Sequence, residues 1–318
     1  MSLFVPINVD SFWMPRASST IAKQVDDGYY LVYWVSLALF VLVVGGMTYF
    51  SVKYRRRSDR DKTSDIDHST KLEIGWSVIP LLIVIGLFVV GLKGYLRGQV
   101  APSESYEINV TGKKWLWTFT YPQGFTTTGE MAVPAGRPTK LVISAEDVLH
   151  SFFIPEFRVK QDAVPGQYTT LWFQSDQPGE YALLCTEYCG TSHSDMIGKV
   201  LVLEDTKFQE WIEGEGDPGG SAKPPAEQGE RKYKSAGCNT CHSLDGTKIQ
   251  GPSFKGLWGR VEKTSAGEVT VDENYVRESI LNPGAKIVDG YPNVMPTFQG
   301  VLKDKDIDNL IAYIKTLK

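Results

Sequence analysis

Two long uncharged stretches lead the chain. Gly28 to Val52 holds twenty-five residues without a charge, enough to cross a bilayer core, which needs about 20 helical residues. Ile74 to Leu92 is a second such run. It includes Pro80, which membrane helices accommodate better than soluble ones. Between them Lys53, Arg55, Arg56, Arg57, Arg60, Lys62 and Lys71 form a dense basic loop. The bias of positive charge toward the cytoplasm places this loop inside and both chain ends outside. Tyr29, Tyr30, Tyr33 and Trp34 at one end of the first run, and Tyr49 and Phe50 at the other, suit the two aromatic belts of a spanning helix. A buried core helix is the alternative for the shorter run, and its pairing with the first argues against it.

After Pro102 the period changes to two. Tyr106–Thr111, Trp115–Tyr121, Thr139–Ser144, Tyr168–Phe173, Glu180–Leu184 and Ile197–Leu203 read as short strands, separated by turn residues such as Tyr121-Pro122-Gln123-Gly124 and Pro134-Ala135-Gly136. Strands at this spacing predict a Greek-key sandwich or barrel. Residues 214–226, rich in Gly and Pro, have no apolar face and predict a flexible linker. At the far end Ile307, Leu310, Ile311 and Ile314 recur at helical spacing within Asp304 to Leu317, an amphipathic helix that closes a last domain.

The expected boundaries are an external N-terminal segment over 1–27, a helical hairpin over 28–97 with helices near 28–52 and 74–96, a β domain over 98–213, the linker over 214–226 and a final domain over 227–318. Residues 1–27 lack a basic region followed by a short apolar run and a small-residue cleavage site, so no cleaved signal is expected. A net charge of −4 marks no nucleic-acid binder. The four cysteines fall in two tight pairs, 185/189 and 238/241. In a reducing compartment such pairs are more often zinc or redox sites, so the compartment has to come from the membrane segments. His68 lies in the basic loop and reads as a solvated side chain.

Cys185-Thr186-Glu187-Tyr188-Cys189-Gly190-Thr191-Ser192-His193-Ser194-Asp195-Met196 packs two thiols, an imidazole and a thioether into twelve residues, and His150 stands upstream. Soft sulfur beside borderline nitrogen favours copper. Two cysteines four apart can bridge a pair of ions while one histidine and one weak ligand cap each. A Cys185–Cys189 disulfide would leave His193 and Met196 idle, and a zinc site of two Cys and two His has little use for a thioether.

The pattern C-x-E-x-C-G-x-x-H-x-x-M with its upstream histidine resembles the copper A loop of cytochrome c oxidase subunit II, and the likeness runs from residue 25 to about 210. It implies a cupredoxin fold whose copper loop joins the last two strands. It also implies a dinuclear copper A held by the side chains of His150, Cys185, Cys189, His193 and Met196 and the main-chain carbonyl of Glu187. In that family the side-chain carboxylate at the position of Glu187 also reaches a magnesium ion shared with the catalytic subunit. Thr70-Lys71-Leu72-Glu73-Ile74-Gly75-Trp76 resembles the family's start to its second helix, which makes Glu73 either a capping carboxylate or the mouth of a proton-uptake path. Trp115 matches the aromatic through which electrons enter the copper site, although alternation in Trp115–Tyr121 also suits plain core packing. The family usually has Arg after the glycine of Asp162-Ala163-Val164-Pro165-Gly166, and here Gln167 replaces it, which puts any subunit contact made by that Arg in doubt.

Cys238-Asn239-Thr240-Cys241-His242 is the attachment motif of a covalent haem c: two thiols take the vinyl groups and His242 ligates iron. Gly251 to Arg260 resembles the loop covering that histidine in small cytochromes c. A buried Met is commonly core filler. Met295, however, is the only methionine of the domain and sits in a proline-framed loop, which suits the second axial position of an electron carrier.

Together these parts resemble subunit II of a caa-type haem–copper oxidase: a multidomain membrane protein with a two-helix hairpin, an all-β cupredoxin sandwich and an all-α class I cytochrome c domain. The resemblance implies electron transfer from haem c to copper A and on to a catalytic haem–copper subunit I in the bacterial inner membrane, with the copper and haem domains on the periplasmic side. It implies other oxidase subunits and membrane lipid as neighbours, and a quinol-oxidising complex or a cytochrome c as donor. A His/Met haem and a protein-saturated copper pair have no open position for oxygen, so oxygen reduction belongs to the partner. Two rivals stay open. A copper chaperone would show the Cys pair and a distant His but would not need His193 and Met196. Nitrous oxide reductase shares the copper loop but lacks the hairpin and the haem domain.

Overall fold

The computed structural model describes residues 14–58, 62, 64–216 and 223–318. Residues 1–13 of the N-terminal segment, Arg60 of the basic loop and 217–222 of the expected linker lie outside the described residues. The chain forms two compact units. One holds Ile21–Val100 and the other holds Ala101–Lys318 with residues up to Thr20.

The first unit is a pair of helices, α1 (Ala22–Lys53) and α2 (Thr70–Gln99). Both are long and apolar enough to cross a membrane. Each extends several residues past its uncharged run. Helix propagation needs only backbone bonding, so polar flanks continue the helix beyond the apolar stretch. Gln24, near the start of α1, takes a hydrogen bond from Arg97, near the end of α2, which makes the pair an antiparallel hairpin. Leu, Ile, Val and Phe side chains face outward all along both helices. Helices apolar all round and exposed in isolation are suited to lipid.

In the second unit, ten strands make two five-stranded sheets. The first has the order β3-β2-β1-β5-β8, with β1 Tyr106–Lys113, β2 Leu116–Thr120, β3 Thr126–Thr128, β5 Thr139–Ala145 and β8 Thr169–Phe173. The second has the order β4-β10-β9-β6-β7, with β4 Glu130–Pro134, β6 His150–Ile154, β7 Val159–Ala163, β9 Gly179–Cys185 and β10 Ile197–Leu203. The inner faces carry Trp117, Phe119, Phe152 and Phe173, and Phe157 packs in from the turn between β6 and β7, all fully buried. Burying one such side chain stabilises by roughly 1.5–3 kcal/mol. Tyr121 ties the two sheets: its hydroxyl donates to the carbonyl of Ala132 on β4 and accepts from that residue's N–H. The periodicity missed β3, β4, β6 and β7. The last three have three or more buried or half-buried residues in a row, where alternation gives no signal. Helix α3 (Asp205–Glu213) then buries Phe208 and Trp211 against the sandwich.

The C-terminal part of this unit is helical: α4 (Pro225–Ser235), α5 (Glu273–Leu281) and α6 (Asp304–Ile314). A two-stranded hairpin, β11 (Val261–Thr264) with β12 (Gly267–Thr270), is added to the all-α expectation. Helices α4 and α6 cross at Gly229, where any Cβ would overlap the carbonyl of Asn309. Beside this crossing the Asn309 amide donates to Gln228 over 2.9 Å.

Candidate copper and haem sites

Pairing of β6 with β9 sets Phe152 opposite Cys185. His150, at the first position of β6, therefore comes in beside the end of β9, where the strand stops and the loop 186–196 begins. The thiols of Cys185 and Cys189 are free, with sulfurs 3.8 Å apart. His150 Nδ1 lies 3.9 Å from Cys185 Sγ, and His193 Nδ1 lies 3.5 Å from Cys189 Sγ. Met196 Sδ is 3.8 Å from Cys189 Sγ, and the carbonyl of Glu187 is 3.4 Å from Cys185 Sγ. All six donors read from the sequence converge on one spot. His150, Cys185 and Cys189 are buried with their donor atoms within 4.8 Å of one another. The set suits copper on its own chemistry: two soft sulfurs in the middle, an imidazole and a weak ligand at each end.

The site carries one partner that the motif did not reveal. Asp147 Oδ1 accepts from His150 Nε2 at 2.9 Å, and its carboxylate also takes the backbone N–H groups of Val148 and Lys114. A bond at Nε2 fixes the tautomer that leaves Nδ1 free to ligate. Burial disfavours the Asp147 carboxylate, but the His150 bond and the two N–H donors outweigh it and hold the group below the usual range. Burial likewise pushes the Cys185 thiol up, while His150 and the backbone at Ser151 and Glu187 more than offset this and bring it below the ordinary thiol range. Burial and the adjoining Cys185 sulfur raise Cys189. The signal available in the sequence was an acid three residues before the ligand histidine.

Cys238, Cys241, His242 and Met295 line a single apolar cavity of the helical domain, walled by Val276 and Phe298. The Nδ1 of His242 donates to the carbonyl of Pro252 at 2.8 Å, and its ring stacks on Phe254 with centroids 4.5 Å apart. Burial pushes His242 below the ordinary imidazole range, so the ring is neutral and offers Nε2 as a ligand. Gly251 is required here, since a Cβ would stand 2.6 Å from His242 Cε1. The thiols of Cys238 and Cys241 are raised by burial to about 12 and about 11. Two thiols, a neutral histidine and a thioether around an apolar slot fit a covalent haem c.

Trp115 precedes β2 and is 8% exposed. Its indole lies against Gly190, where a Cβ would be 3.3 Å from Nε1 and from Cζ2. The same residue lines the cavity that holds Cys238 and Cys241. Glu73 is exposed in the first turn of α2 in the other unit. His68 is exposed, and Gln167 is an exposed loop residue.

Comparison with known proteins agrees with these parts. The family model described as "Cytochrome C oxidase subunit II, transmembrane domain" matches residues 7–93, the model of the periplasmic domain of the same subunit matches 123–203, and a cytochrome c model matches 226–318. Cytochrome c oxidase subunit 2 of Alkalihalophilus pseudofirmus is 32% identical, over 91% of this chain and 83% of that protein. The same subunit of a Synechocystis species is 31% identical, over 65% of this chain and 79% of the relative. The crystal structure of the periplasmic domain of cytochrome oxidase subunit II from Bradyrhizobium japonicum is 31% identical, covering 36% of this chain and 96% of that one with a TM-score of 0.35. With both domains of the subunit matched and a relative aligned over most of its length, this membrane chain belongs to the cytochrome c oxidase subunit II family and carries a cytochrome c domain at its C-terminus.

Proposed function

We propose that the chain takes electrons at its haem c domain, passes them through Trp115 to the copper loop, and delivers them to the catalytic haem–copper subunit that reduces oxygen. The observation that carries this reading is the position of Trp115, which touches Gly190 of the copper loop on one side and lines the haem cavity on the other. Each bound group supplies a one-electron couple; the side chains described here set where those couples stand.

Cys185, Cys189, His150, His193, Met196 and the Glu187 carbonyl would hold the copper pair, the soft sulfurs and imidazoles suiting a one-electron copper couple. Asp147 holds His150 in its ligating tautomer. His242 and Met295 would ligate the haem iron, and Cys238 and Cys241 would anchor the haem covalently. The Glu187 carboxylate serves a magnesium ion at the contact with subunit I, and Glu73 opens a proton path into that subunit. Exposed apolar faces on α1 and α2, with the basic loop between them, support insertion in the bacterial inner membrane with the copper and haem domains outside. The external donor is a quinol-oxidising complex or a cytochrome c.

Flash-induced electron injection into haem c of the purified enzyme, repeated at several dilutions, tests the route. Transfer to copper should be first order with a rate independent of protein concentration. A rate that falls in proportion to dilution would mean the haem domain serves other molecules.

A further inference from the structure

The two metal-binding domains of the second unit do not merely follow one another; each contributes to the other's core. Leu116 of the copper domain packs against the apolar core of the haem domain and lines the same cavity as Cys238. Cys241 of the haem domain packs against the core of the copper domain. Gly237, immediately before the haem attachment motif, faces Leu116 closely enough that a Cβ there would lie 3.8 Å from Leu116 Cβ. At the edge, Lys303 pairs with Glu215.

Beneath this contact lies Gly129, between β3 and β4. Its φ of +73° favours glycine, and a Cβ on it would overlap the backbone carbonyl of Ser235 at the end of α4. The backbone at this point cannot easily yield. The Gly129 N–H donates to Trp117 at 2.8 Å, and its carbonyl accepts from Lys199 at 2.9 Å, so it is pinned to β2 and β10 at once. A side chain here would push the haem domain away sooner than it would move the sandwich.

We infer that Gly129 and Leu116 form a built-in seat for the chain's own haem domain, Gly129 by permitting contact with the Ser235 carbonyl and Leu116 by packing on the haem domain's core at the wall of its cavity. They are positioning residues: neither touches copper or haem iron in the ligand sets above, yet together they fix how close the haem edge comes to Trp115. The inference rests on the direct-transfer reading for its consequence but not for its geometry.

A matched pair of glycine variants tests it in the full chain loaded with copper and haem. Gly124 also has a positive φ, +87°, and a Cβ there would meet nothing within 4 Å. Gly129→Ala and Gly124→Ala therefore carry the same kind of backbone strain, and only the first obstructs the seat. The seat is read from the relaxation enhancement that the oxidised haem imposes on the copper electron-paramagnetic signal, which falls as the centres separate. Gly129→Ala should weaken the enhancement and Gly124→Ala should keep it at the wild-type level. Leu116→Gln, which leaves the glycine turn alone, should weaken it as well and stands in if Gly129→Ala folds poorly. Wild-type enhancement in both Gly129→Ala and Leu116→Gln, or an equal loss in Gly124→Ala, overturns the seat. The transfer rate is then a separate readout. With the seat opened it should fall, because electron transfer slows as the donor moves away from Trp115. An opened seat with an unchanged rate would uphold the geometry and remove the direct-transfer reading.

Discussion

His150 donates from Nε2 to Asp147 Oδ1 over 2.9 Å, and the same carboxylate takes the backbone N–H of Lys114, the residue before Trp115. One side chain thus orients a copper ligand and anchors the strand entry that carries the indole. Asp147→Ala should cost about 10- to 100-fold in copper affinity, the usual effect of removing such a partner. Asp147→Asn, which keeps an acceptor, should recover part of it. Competitive copper titration of the refilled protein measures both, and affinity equal to wild type in the alanine variant would reduce Asp147 to a surface carboxylate.

The proposed ligands were legible because their spacing is chemical: C-x-x-x-C with His and Met at fixed offsets, and C-x-x-C-H, are local patterns that survive without tertiary knowledge. Asp147, Gly251 and Gly129 were not. Asp147 acts through a ring three residues on, and an acid at that spacing is ordinary in a loop. The glycines matter because of what stands opposite them, His242 in one case and Ser235 in the other, and sequence carries no trace of an opposing carbonyl. Trp115 was legible as an aromatic at the head of a strand, but only the fold shows that it borders both sites. The hairpin was the easiest to read, since twenty-five uncharged residues leave few options for burial in water.

Gly251 supports the haem ligand sterically. A methyl at this position would stand 2.6 Å from His242 Cε1 and 2.9 Å from Nδ1, so the ring must tilt or the loop must move. Overpacking of this kind costs about 1–3 kcal/mol. Gly251→Ala should lower the unfolding midpoint of the haem domain and disturb the low-spin spectrum of a His/Met haem, with the copper spectrum unchanged. Visible and near-infrared absorption of one sample reports both centres.

Tyr233 gives the haem domain an alkaline limit. Its hydroxyl donates to the carbonyl of His242, and burial raises the phenol to about 12, above the ordinary value of about 10. The neutral form is thus favoured by folding, so its contribution is complete below pH ~10 and is lost as the pH climbs through about 12. Tyr233→Phe should be less stable by about 1 kcal/mol at pH 7, having lost the hydrogen bond. The difference between the two proteins should shrink above pH 10. Thermal melts at pH 7 and 11 check the sign, and a gap that widens at high pH contradicts it.

Glu73 stands exposed in the first turn of α2, and its charge suits a helix N-terminus in any case. A capping role and a proton-path role separate in Glu73→Gln. The neutral isostere should slow oxygen turnover in the assembled oxidase while both metal spectra stay as in wild type. Wild-type turnover in that assembly would leave Glu73 as a cap.

Tethering makes the last prediction quantitative. Residues 214–226 read as the linker in the sequence, but Gly214 to Gly216 stay hydrogen-bonded to the end of α3 and α4 already starts at Pro225, so the connection between the two domains is shorter than that. A donor joined to its acceptor by so short a connection, and packed on it through Leu116 and Cys241, has an effective concentration of about the millimolar range or above. A donor held at that concentration outcompetes a soluble cytochrome c at micromolar levels by about three orders of magnitude before any difference in docking is counted. Long-range attraction between exposed charges, screened over about 10 Å at 0.1 M salt, helps a diffusing donor find its site, whereas a tethered one needs little steering. Removing residues 223–318 should therefore leave the copper spectrum intact, since His150 and the loop 185–196 are held by β6, β9 and β10. It should also make turnover depend on added cytochrome c. Leu116 and Trp115 would then face solvent, and turnover should fall steeply between 50 and 200 mM salt (order-of-magnitude bounds set by the same screening length), while the full chain changes little over that range. Steady-state oxygen uptake of both forms across that salt series is the measurement. A truncated enzyme that turns over without added donor, or a full chain with the same salt response, would show that the haem domain is not the resident donor to copper.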